Sequence, residues 1–185
     1  MSVLQPGDPF LYMKVGVHAN ESLKDILDRK RAEIAEAGVS FWGYGGNCHP
    51  YTAVQPFIRE VTEDGTTVRL LMQEITSRHF ALGEAKEYSP DGKNYFSIPK
   101  GVRVLGSRYA LVLTSLDEID EAVSLTDTIV GVGAKRGLSG DQYIRGHVDK
   151  ACLVYRPNEE APAKKAAITL RLSAQLAEPF AVVLR

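Results

Sequence analysis

Cysteine is scarce. Cys48 and Cys152 are the only two in 185 residues, too few for a secreted scaffold stapled by disulfides, and a chain this long buries enough apolar surface not to need one. Both read as free thiols. No apolar run approaches the roughly 20 residues that span a bilayer, and the start of the chain lacks the basic-then-apolar layout of a leader. A cytoplasmic, membrane-free protein is expected. Charge of one sign is lacking as well: 22 basic side chains stand against 23 acidic ones, so there is no excess to clamp a duplex nucleic-acid backbone. The four histidines, His18, His49, His79 and His147, show no zinc-ligand spacing, alone or with the cysteines, and no metal is implied. Collagen, coiled coil and wholesale disorder are excluded by composition.

What remains has the profile of a single globular domain spanning residues 1–185. From Phe10 to Val17, Leu11, Met13, Val15 and Val17 alternate onto one side, the pattern of a half-buried strand, with Lys14 on the other side. Asn20 to Ala37 carries Leu23, Ile26, Leu27 and Ile34 on one helical face, with Lys24–Asp28 and Asp25–Arg29 as opposite-charge pairs outside. Asn20 or Ser22 can cap this helix and Gly38 can end it. Thr52 with Gln55 resembles a capping box for a second helix through Val54, Phe57, Ile58 and Val61, Pro56 falling in its first turn.

Beyond Thr66 the chain reads as strands: Thr67–Ile75, Ala85–Tyr88, Asn94–Ile98, Val102–Leu105, Tyr109–Leu113, Thr128–Val132, Ala151–Tyr155, Ile168–Leu172 and Ala181–Leu184. A short helix is expected at Leu116–Ser124. The fold class that follows is α+β: an N-terminal strand and two helices packed on a largely antiparallel curved sheet or small β-barrel.

A third of the chain's aromatic rings, Phe41, Trp42, Tyr44, Tyr51 and Phe57, fall within residues 41–57, among Gly43, Gly45 and Gly46. Flat apolar faces beside a few polar groups are what a small-molecule pocket is made of; the same rings could equally plug a core. Read as a pocket, the loop offers Trp42, Tyr44, Gly45, Asn47, His49 and Gln55 as ligand-binding residues, with Lys14 and Arg78 as groups for an anion or carbonyl. The ligand would be a nucleobase, nucleotide or other flat metabolite, and no cofactor is implied. A second reading makes Cys48 or His49 the catalytic group of a thiol- or histidine-dependent hydrolase or transferase, the imidazole lowering the pKa of a thiol. That thiol could also draw on His18, His79 or His147. A third makes the chain a homo-oligomeric assembly protein whose Ala181–Leu184 strand pairs with a second chain. The glycine-rich GVGAKRGLSG at 131–140 lacks both phosphate-loop fingerprints and reads as a basic turn.

Overall fold

Apolar alternation at period two dictates the centre of the molecule. The computed structural model describes residues 2–46, 48–79, 83–145, 148–157 and 167–185, with backbone alone at residues 78 and 79. Strand β1 (Pro9–His18) pairs in parallel with β3 (Arg69–His79) and antiparallel with β9 (Lys150–Tyr155). Leu11, Met13 and Val15 turn to one face, where they meet Leu70, Met72 and Cys152. Phe10 and Tyr12 turn to the other, against Leu71, Ala151 and Leu153. A strand inside a sheet is covered on both sides, so β1 is buried on two faces where one was expected.

The sheet continues outward from this centre. Its path runs β2 (Ser40–Tyr44), β6 (Tyr109–Leu113), β10 (Ala167–Leu184), β3, β1, β9 and β8 (Thr128–Val130). Three strands lie off the path: β4 (Glu87–Ser89), β5 (Phe96–Ser97) and β7 (Asp117–Ser124). Every ladder among the described residues except β1 with β3 is antiparallel. The ends of the path, β2 and β8, do not pair with each other. The α+β class therefore holds as an open sheet, and the barrel alternative does not.

Helix α1 (Leu23–Ala37) begins on Ser22, whose Oγ accepts from the Asp25 amide at 3.1 Å, and ends on left-handed Gly38, as expected. Lys24 reaches Asp28 at 2.6 Å. Asp25 instead accepts from the Ser22 hydroxyl, and Arg29 turns to Glu21 and Glu33. Helix α2 (Tyr51–Thr62) starts one residue before Thr52, on Pro50, with no side-chain cap. Pro56 lies inside it, at the cost of the bond its missing N–H would give Thr52. Ile26, Leu27, Val54, Phe57 and Ile58 place both helices on the Leu11 face of the sheet. Val123, Leu125, Val130 and Ile144, the last from the short α3 (Gly140–Ile144), cover the opposite face.

Pairing with β10 alters the expected picture in three places. The helix expected at Leu116–Ser124 is β7: Ile119 and Val123, four apart, satisfy helical spacing and strand alternation alike, and the partner strand decides. The strands expected at Ile168–Leu172 and Ala181–Leu184 both form, as parts of one continuous strand with Pro179 inside it. Ala181–Leu184 pairs within the chain, with β6 on one side and β4 on the other, so it is no edge for a second chain. Val102–Leu105 makes one isolated bridge, Leu105 with Glu84, instead of a strand. Among the described residues no helix is long and apolar enough to cross a membrane.

Close approach fixes Gly43 on β2, where an added Cβ would meet Ser107 Cβ at 2.7 Å and Val104 Cγ1 at 2.9 Å. Gly43→Ala is expected to destabilise the fold by about 1–3 kcal/mol through overpacking, read as a lower urea midpoint with an unchanged slope.

Candidate functional site

The strand ends, α1 and two loops leave a cavity of about 620 Å³. Met13, Val15 and Gly16 of β1 supply one wall, and Ile26, Arg29 and Lys30 of α1 another. Trp42 and Tyr44 of β2 form the aromatic side, continued by Gly45, Gly46 and Cys48. Segment 103–107 and the start of β9, with Asp149 and Lys150, complete it. Alternation along β2 explains the aromatic wall: Phe41 faces a separate cluster with Val104 and Val182, whereas Trp42 and Tyr44 face the Leu11 side and open onto the cavity. They are largely buried, at 7% and 6% exposure.

The charges on the cavity are mostly of one sign. Lys14, Arg29, Lys30, Arg103 and Lys150 line it, against Asp149 as the sole lining carboxylate among the described residues. Other partner acids stand outside the lining: Glu21 and Glu33 hold Arg29, Glu33 holds Lys30, and Glu84 holds Arg103. Glu33, 4% exposed, also accepts from Ser40 Oγ at 2.5 Å and from the Arg103 amide at 3.0 Å. Lys150 Nζ sits 2.7 Å from Asp149 and 5.9 Å from the centre of the Tyr44 ring, a cation over an aromatic face. His18, also on the lining, engages the Leu105 carbonyl through Nε2 at 2.8 Å.

The candidates taken from the sequence divide. Trp42, Tyr44, Gly45, Lys14 and Cys48 border the cavity. Tyr44 does so with its ring only, because its hydroxyl donates to the His49 carbonyl at 2.9 Å, and Lys14 reaches the Val148 carbonyl at 3.3 Å. His49 is not on the lining. Its Nε2 accepts from the Cys152 amide at 3.2 Å while Nδ1 is buried with no hydrogen-bond partner among the described residues. The ring makes no hydrogen bond to Cys48, so the adjacent pair is not assembled as a thiol–imidazole dyad. Gln55 is structural too, its amide donating to the Pro90 and Ala181 carbonyls at 2.9 and 2.5 Å. Asn47 lies outside the described residues, as does the side chain of Arg78, whose backbone stands opposite Val17. Of the alternative partners for Cys48, His18 shares its cavity, while His147 and the side chain of His79 also lie outside the described residues. Lys135 and Arg136 of the glycine-rich turn are exposed and off the lining.

Sequence reasoning missed the cationic wall. Arg29, Lys30, Arg103 and Lys150 were not singled out, yet a signal existed: Lys30 and Glu33 fall at helical spacing from Ile26 and Leu27, on the buried face of α1. Two charges on an apolar stripe require each other or a partner. Among the described residues no group of three or more His, Cys, Asp or Glu side chains could hold a metal ion. No protein-family model, curated protein or solved structure matches the chain.

Two outcomes follow from this geometry. Cys152 is fully buried and its thiol is pushed up by desolvation, whereas Cys48 is partly exposed. Iodoacetamide should therefore label Cys48 alone in the native protein, and Cys48→Ser should abolish native labelling, as peptide mass spectrometry would show. Burial, aided by Lys150, holds His49 down to about 4. An unfolded histidine binds its proton near pH 6.5. Between these values the unfolded chain carries more protons, so His49 contributes stability above pH 6.5 that is lost as pH falls toward 4, on the order of 3 kcal/mol. His49→Asn, which tolerates the left-handed backbone at this position, should be less pH-dependent than the parent over that window in urea titrations.

Proposed function

We propose that the chain binds a small, flat, anionic molecule, of the nucleotide or aromatic-acid kind, with its ring against the Trp42 side and its negative group toward the cationic wall. One observation carries this reading: a cavity of about 620 Å³, within the range of small-molecule sites, joins an aromatic wall to five cationic side chains and, among the described residues, a single lining carboxylate. A hollow lined mainly by one sign of charge raises the local concentration of the opposite ion, and apolar walls strengthen each contact by excluding water. Gly45 and Gly46 put backbone within reach of the ligand without side chains in the way.

The thiol-enzyme reading keeps Cys48 on the cavity and loses His49 as its base. It is the weaker proposal. An assembly role through Ala181–Leu184 has no free edge to use.

Trp42 is the only tryptophan, so its emission reports occupancy directly. Titration with nucleoside monophosphates and aromatic carboxylates should change that emission, with uncharged nucleosides binding more weakly and added salt weakening the anions. Lys150→Ala should cost at least tenfold in affinity, about 1.4 kcal/mol. Unchanged emission together with no heat in calorimetry across the panel would overturn the reading.

A further inference from the structure

We propose that Lys30 is a carbonyl-capturing amine, forming a reversible imine with an aldehyde or ketone group of the molecule in the cavity. This rests on the cavity being a ligand site. The Lys30 side chain is 4% exposed, yet it borders the cavity from the buried stripe of α1. A leucine there would pack at no cost in desolvation, so a lysine at this place calls for a polar use. Its ammonium has three donor positions. One is spent on the Arg103 carbonyl at 2.7 Å and one on Glu33 Oε2 at 3.2 Å, and the third has no partner among the described residues. Lys150, the other buried lysine of the lining, is instead held at 2.7 Å by the Asp149 carboxylate beside it.

The surroundings favour the nucleophilic form. The charged groups about Lys30 are Arg29 and Glu33 on α1, Glu21 just before it, and Arg103 on the adjoining segment, whose carbonyl Lys30 meets. Desolvation and Arg29 oppose the ammonium, Glu33 and Glu21 support it, and the balance pushes Lys30 down to about 8. At neutral pH about a tenth of it is then free amine, against roughly one in three thousand for an exposed lysine. The chemistry balances without oxidant or reductant. After the ammonium gives one proton to solvent, the nitrogen lone pair attacks the carbonyl carbon and a C–N bond forms. The carbinolamine then expels its oxygen as water, carrying away the two remaining N–H protons, with Glu33 placed to relay them.

The test uses pyridoxal 5′-phosphate as a flat aldehyde bearing an anion, with Trp42 emission followed before borohydride reduction and adducts mapped by peptide mass spectrometry. Adduct formation on Lys30 at pH 7.5 is expected at least tenfold faster than on Lys24, whose side chain is 82% exposed. Lys30→Arg should lose that adduct; should this variant fail to fold, the map on the native chain decides alone. Emission change without a Lys30 adduct, or adducts spread over exposed lysines, overturns the imine and leaves the cavity reading standing. Neither emission change nor adduct overturns both.

Discussion

A single carboxylate buried where α1, β2 and segment 103–107 meet holds the candidate site in shape. Glu33 accepts from Arg29 and Lys30 on its own helix, from Ser40 at the start of β2, and from the Arg103 amide. Arg29 and Lys30 in turn donate to the Arg103 carbonyl. Three walls of the cavity are thereby tied through one side chain, and an isolated charge in that position would be prohibitively costly. The network sets the cations at fixed places on the lining while keeping its own negative charge behind them. Removing Glu33 would leave Lys30 without its carboxylate, Arg29 with Glu21 alone and a serine unsatisfied, so shape and electrostatics fail together.

The loop that drew attention in the sequence has a divided role. Its first half, Trp42 to Gly46, borders open space, and its second half is committed to structure. His49 receives the Cys152 amide and lends its carbonyl to Tyr44, joining the loop to β9 and β2. Gln55 bridges the Pro90 turn to β10. These polar residues, which look like chemistry in a linear reading, satisfy backbone groups that a buried loop must satisfy somewhere. The cavity's cations come from elements remote in the chain.

The legibility of the molecule in its sequence follows the range of the forces involved. α1 was readable to its end at Gly38 and to one of two cap candidates at its start, because its determinants, Ser22, the 3,4 spacing and Gly38, are local. β6 was readable to the residue, since Tyr109–Leu113 is an apolar run bounded by turn signals. β7 was not, because its spacing fits both periods and a strand far along the chain chose between them. The aromatic side of the cavity was visible as a concentration of rings. Its cationic side was not, because Arg29, Lys30, Arg103 and Lys150 belong to three separate stretches, and ionic residues at surface-like density look solvated until the fold buries them.

The eighteen-residue strand β10 touches β3, β4, β6 and β7, and among the described residues it is the tenth of ten in chain order. Among the described residues the ladders of the β1–β3–β9 group and of the β2–β6 pair are joined only through it. While the chain is being synthesised, neither group can complete its ladder until residues 167–184 have emerged, so apolar edges of β3 and β6 wait open for a partner made last. Pairings of such long separation are slow to form and leave strands available for wrong ones in the meantime. Assembly of this architecture is therefore concerted, with β3 and β6 unable to complete their ladders before β10 is in place.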